Sequence, residues 1–83
     1  MSRVEKLIKR LLDRPKDFKW RELVMLLKAL GYEEAKRGKT GGSRRRFVHE
    51  RTAPITLHEP HDGVLRRYQI DLVIENLERG GMI

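Results

Sequence analysis

Between positions 36 and 46 the chain carries Lys36, Arg37, Lys39, Arg44, Arg45 and Arg46 without one acidic residue, and these cations frame the turn-forming stretch Gly38-Lys39-Thr40-Gly41-Gly42-Ser43. Phosphate oxygens suit such a run, because arginine offers a planar fork of donors and a glycine-rich turn lets backbone N–H groups come close to an anion. Side chains alternate along a strand, so Arg44 and Arg46 point to one face and Arg45 to the other, and at least one row faces solvent. A plainer reading has these arginines guarding an edge strand against unwanted pairing. Six unopposed cations around one turn exceed what that guard requires and favour a polyanion. Gly38-Lys39-Thr40 is not a phosphate-binding P-loop, since the preceding glycine spacing is missing and no helix opens after it. Nucleotide hydrolysis is therefore not expected.

The other residues able to do chemistry are His49, His58 and His61, because imidazole gives and takes protons near neutral pH. His49 is expected to be an ordinary strand surface residue. His58 and His61 fall in a turn-rich segment beside Asp62, which could orient an imidazole; for His58 the plain alternative is a strand-end residue with no role. Two histidines three residues apart could instead hold a metal, but with no cysteine and only scattered carboxylates neither a metal site nor a cofactor is expected. RNA can be cleaved without a metal where an imidazole takes the 2′-hydroxyl proton and cations stabilise the charge that builds on phosphorus. A histidine beside an arginine-rich turn supplies both parts.

The elements that must position these residues are legible from periodicity. Ser2 followed by Glu5 has capping-box spacing, and Val4, Leu7, Ile8, Leu11 and Leu12 fall on one face of a helix over about Ser2 to Asp13. Pro15 ends that pattern, and Asp17 is placed to cap a second helix, about Phe18 to Leu30, whose apolar stripe is Trp20, Leu23, Val24, Leu27 and Leu30, with Gly31 as its C-terminal cap. These stripes read as core. Tyr32 to Arg37 and Arg44 to Arg51 are predicted strands of a hairpin, and Ile55 to Leu57 a short third strand after the Thr52-Ala53-Pro54 turn. Ile70, Val73, Ile74 and Leu77 mark a last helix over about Arg66 to Arg79, ended by Gly80-Gly81. The expected fold class is α+β: a two-layer domain in which helices pack on one face of a three-stranded antiparallel sheet.

Eighty-three residues leave room for one core, so residues 1–83 are expected to form a single domain. Nineteen Lys and Arg against twelve Asp and Glu give a formal charge of +7 and a pI near 10.3, a balance that attracts polyanions, or an acidic protein, before any contact forms. Without cysteine the chain suits a reducing cytoplasm. Lys and Arg interrupt the apolar residues of the first segment, so neither a secretory signal nor a membrane span is expected.

The chain resembles the HicA-type toxins, small ribonucleases of type II toxin–antitoxin modules with a fold like the double-stranded-RNA-binding domain. The resemblance runs from about Phe18 to Ile83. It rests on Leu23-Val24-Met25-Leu26-Leu27-Lys28-Ala29-Leu30-Gly31-Tyr32, then Gly42-Ser43-Arg44-Arg45-Arg46-Phe47, then Ile55-Thr56-Leu57-His58-Glu59-Pro60-His61, and the closing helix. It implies cleavage of mRNA with relaxed sequence preference, and a HicB-type antitoxin partner that covers the active surface. The family's Gly-Ser-His-His pattern has its catalytic histidine directly after the serine, where this chain has Arg44 and Arg45. His61, in the place of the histidine near the end of the family's third strand, or the adjacent His58, is then the nearest alternative base. The helix over residues 1–13 is additional to the shortest family members.

The sequence thus leads to an endoribonuclease that binds RNA through Lys39, Ser43, Arg44, Arg45 and Arg46, joined by Arg66 and Arg67 at the start of the last helix, and that cleaves it without metal through His61 or His58 with Arg44. A non-catalytic RNA-binding module of the same fold is the main alternative. A third reading, DNA binding by a helix-turn-helix, is disfavoured because the second helix carries only Lys19, Arg21 and Lys28 as cations.

Overall fold

In the computed structural model, which describes residues 2–35 and 44–83, helix α1 (Arg3–Leu12) and helix α2 (Trp20–Ala29) precede strands β1 (Glu33–Glu34), β2 (Arg44–Val48) and β3 (Ile55–His58), and helix α3 (Arg67–Arg79) closes the chain. The strands form an antiparallel sheet in the order β1-β2-β3. The expected α+β architecture is present. Strand alternation divides the sheet: Phe47, Ile55 and Leu57 are buried on the inner face, whereas Arg44, Arg46, Thr56 and His58 are exposed on the outer one. Trp20 of α2 meets Phe47 at 6.0 Å between ring centroids, and α3 packs beside β3, so helices cover the inner face. Helix α1 packs on α2 and α3, burying Leu7 and Leu11 in the same core.

Several boundaries differ from the sequence expectation, each for a local reason. Helix α1 starts as expected, with the Ser2 hydroxyl accepting from the Glu5 N–H at 3.2 Å. Asp17 does not cap α2. The helix opens two residues later, at Trp20, because Phe18 and Lys19 are held extended by an antiparallel bridge to Val64, with Trp20 N–H donating to Gly63 O and Leu65 N–H to Phe18 O, both at 2.8 Å. Asp17 instead meets Arg10 at 3.2 Å, and the cap function passes to Glu22, whose carboxylate accepts from the Lys19 N–H at 3.0 Å.

Strand β2 stops at Val48 because His49 leaves the ladder. Its Nε2 lies 3.1 Å from the Leu30 carbonyl oxygen and its Nδ1 accepts from the Arg51 N–H at 3.0 Å, so both ring nitrogens are engaged by backbone. The imidazole also packs at 4.8 Å against the buried ring of Tyr32. His49 is therefore a half-buried tie between the end of α2 and the end of β2 rather than an ordinary surface residue. Gly31 makes that tie feasible: its φ is +98°, and a Cβ there would sit 3.0 Å from His49 Nε2.

Candidate functional site

The outer face of the sheet is where the chemistry-bearing residues meet. Strands β2 and β3 pair in the register Arg44 with His58, Arg45 with Leu57, Arg46 with Thr56 and Phe47 with Ile55. Directly opposed residues of an antiparallel pair have Cβ atoms about 4.5–5.5 Å apart and point to the same side. Arg44 and His58, fourteen positions apart in sequence, are thus neighbours on the exposed face, with Arg46 one pleat further along β2.

Arg45 lies on the other face and has a different environment. Its Nη1 meets Glu34 Oε2 at 2.5 Å, and its Nε and Nη2 lie 3.0 and 2.8 Å from Glu59 Oε1. Hydrogen bonding to Glu34, opposed by burial and then reinforced by Glu59, holds the guanidinium above its usual pKa. The clamp joins β1, the start of β2 and the residue that follows β3. Arg45 is thus met by two carboxylates, whereas Arg44 and Arg46 have no ion pair among the described residues. Lys39 and Ser43 lie outside the described residues.

His58 is positioned by a residue that periodicity alone hides. Gln69 sits on the buried face of α3, 2% exposed; its Nε2 donates to the His58 carbonyl at 2.7 Å and its Oε1 accepts from the Arg66 N–H at 3.0 Å. One side chain therefore caps α3 and pins the end of β3 to it. The signal in sequence is a glutamine three residues after Arg66, at the capping-box position, within an otherwise apolar stripe. Glu34 and Glu59 were equally hidden, because nothing local links them to Arg45.

His61 is exposed in the turn that follows β3. Asp62 does not orient an imidazole: its carboxylate accepts from the Val64 N–H at 3.1 Å and meets Arg66 Nη1 at 3.2 Å. The Val64 N–H, with Arg66, outweighs desolvation and holds the Asp62 carboxyl below its usual range. Arg67 meets Asp71 at 3.4 Å, and Asp71 is shared with Arg14 at 2.8 Å. These pairs around Arg66 and Arg67 are exposed, so they are weak and can exchange for phosphate at small cost. Through Gln69 the start of α3 adjoins the His58 end of β3.

Among the described residues no group of three or more His, Asp or Glu is arranged to hold a metal ion. No described helix is long and apolar enough to cross a membrane.

These features define a small basic α+β domain with an open, cationic sheet face. The family model of the HicA toxin of bacterial toxin–antitoxin systems matches residues 20–78, from the first residue of α2 almost to the end of α3. The chain belongs to the HicA toxin family, and is thus the toxin of a toxin–antitoxin pair, with an antitoxin as its partner. No curated protein and no solved structure matches it.

Proposed function

We propose that this toxin binds single-stranded mRNA across the outer face of its sheet and cleaves it there without a metal, and that a HicB-type antitoxin blocks it by covering that face. The observation that carries the reading is the register that sets Arg44 directly opposite His58 on the exposed side. Family membership supports the substrate class. The acid-free run of cations at positions 36–46, in which Arg44 and Arg46 have no ion pair among the described residues, supports phosphate binding.

In this reaction His58 takes the 2′-hydroxyl proton, the 2′-oxygen forms a bond to phosphorus, and the bond from phosphorus to the 5′-oxygen breaks. The departing 5′-oxygen takes a proton from the imidazolium or from water, leaving a 2′,3′-cyclic phosphate and a 5′-hydroxyl. Arg44 stabilises the charge on the pentacoordinate phosphorus, and Arg46 holds a neighbouring phosphate. Lys39, Ser43, Arg66 and Arg67 contact flanking backbone. Arg45 acts from behind the sheet by fixing the strand that carries Arg44. His61, exposed beyond β3, is the alternative base. His58 ranks first because its partner across the ladder is Arg44 itself.

A second reading rests on Arg44, which stands where the family pattern has its catalytic histidine: the chain binds RNA and does not cut it. Incubating purified, antitoxin-free protein with RNA in EDTA separates the two. Cleavage by the wild type that His58→Ala abolishes and His61→Ala spares identifies the base. Salt-sensitive binding without any cleavage selects the second reading.

A further inference from the structure

The formal charge of +7 is not spread evenly. Residues 1–19 hold seven Lys and Arg against three Asp and Glu, residues 36–46 hold six cations and no acid, and the remaining residues hold six cations against nine acids. The positive surplus therefore has two sources. One is the basic turn and β2. The other is α1 and the connection to α2, which lies outside the family-matched residues 20–78.

Helix α1 buries Leu7 and Leu11 and reaches the rest of the molecule through α2 and α3, which themselves cover the inner face of the sheet. Its main contacts are therefore with the helices and not with the strands. Arg3, Lys6 and Lys9 follow one another at three-residue steps along its outward stripe, spanning about 9 Å of helix axis and about 120° of its surface. All three are exposed, and none has an ion pair among the described residues. The cations that do hold α1 in place are others: Arg10 is bonded to Glu22 at 2.9 Å and stacked 5.6 Å over the Phe18 ring, and Arg14 is bonded to Asp71 at 2.8 Å. The free cations are not needed to dock the helix.

We infer that the outward stripe of α1, carrying Arg3, Lys6 and Lys9, is a second binding surface for the RNA backbone, distinct from the cleavage face. The inference rests on the RNA reading above and extends it: the substrate is an RNA long enough to wrap from the sheet to the helical side. Composition selects nucleic acid over an acidic protein as the occupant. A protein interface is built around a desolvated centre depleted in lysine, whereas the outward face of α1 offers only Leu12 at 42% exposure as an apolar group. Phosphate contacts need only solvated cations.

The test uses the full chain and fluorescent 2′-O-methyl RNA, which lacks the attacking hydroxyl, in a short form and one several times longer. Replacing Arg3, Lys6 and Lys9 together by Gln removes three phosphate contacts at about 0.7 of salt slope each, so the log–log salt dependence for the long RNA flattens by about 2. Affinity at about 0.1 M salt then falls on the order of a hundredfold, while the short RNA is bound as by the wild type. Thermal unfolding confirms that the variant is folded, and Lys6→Gln alone gives a smaller loss of the same kind if the triple variant is not. Unchanged affinity for the long RNA overturns the inference, as does an equal loss for both lengths, which would mean a general field rather than a surface. So does unchanged RNA affinity with lost binding of poly-glutamate, which would give the stripe to an acidic protein. Failure of the wild type to bind either RNA would instead sink the RNA reading itself.

Discussion

Arg44 and Arg45 are chemically identical neighbours, and replacing each by Met should have opposite consequences. Arg45 is 22% exposed and donates to two carboxylates that are 26% and 36% exposed. Desolvated charge-assisted hydrogen bonds contribute about 1.5–3 kcal/mol each and fully exposed ion pairs about 0–1 kcal/mol. At this intermediate burial, and with Glu34 and Glu59 left facing one another, Arg45→Met should cost about 2 kcal/mol. For a domain of this size that is a fall in Tm of about 10 °C. Arg44 is exposed with no ion pair among the described residues, so Arg44→Met should cost no more than about 0.5 kcal/mol while removing RNA cleavage. Trp20, packed against Phe47 of β2, reports unfolding by fluorescence in urea, and RNA affinity is measured beside it at one salt concentration. Adding Glu34→Gln to Arg45→Met should recover part of the loss, since it removes one stranded carboxylate. If Arg45→Met leaves stability unchanged and weakens RNA binding as much as Arg44→Met does, the clamp is not a structural tie and the arginine run acts as one phosphate-binding unit.

Three further outcomes follow from other contacts. Burial disfavours the Glu22 carboxylate, but Arg10 at 2.9 Å and the Lys19 N–H at 3.0 Å outweigh it and hold its carboxyl below its usual range. A depressed carboxyl stabilises the fold above its unfolded pKa and loses that effect as pH falls through the folded one, so Glu22→Gln should cost about 1 kcal/mol at pH 7 and nothing once the pH is well below 4.5, as urea titrations at several pH values will show. Gln69→Ala removes both the α3 cap and the bond to the His58 carbonyl; it should cost about 2 kcal/mol and lower kcat for RNA more than KM, whereas a purely structural role would leave the kinetics of the folded fraction intact. Gly31→Ala places a Cβ 3.0 Å from His49 Nε2 at φ +98° and should destabilise by about 2 kcal/mol, measured by thermal unfolding.

Element types and order were legible because they follow from local patterns. The stripes of α1, α2 and α3 repeat at helical spacing, Gly31 and Gly80-Gly81 end helices, and the β-branched and aromatic runs lie where strands form. What was not legible depends on contacts between distant segments. Asp17 has the right chemistry for a cap, but the bridge between Lys19 and Val64 moves the start of α2 beyond its reach. His49 reads as an alternating strand residue until the end of α2 presents a carbonyl to it. Alternation placed Arg45 on the opposite face from Arg44 and Arg46, but not the carboxylates waiting there, since Glu34 and Glu59 lie 11 and 14 positions away.

The same distinction governs which histidine faces Arg44. Sequence offers His58 and His61 equally, three residues apart, and only the pairing of β3 with β2 separates them. Side-chain direction has period two, so a slip of one residue would turn His58 inward and expose Leu57, removing a core contact and the candidate base together. Three features oppose that slip: burial of Ile55 and Leu57, the bond from Gln69 to the His58 carbonyl, and the Glu34–Arg45–Glu59 clamp at the mouth of the hairpin. In the proposed reaction the geometry at phosphorus is therefore set from behind the sheet. On that proposal the arginine at position 44 works with the histidine opposite it across the ladder, which is held in register by Gln69, Arg45, Glu34 and Glu59.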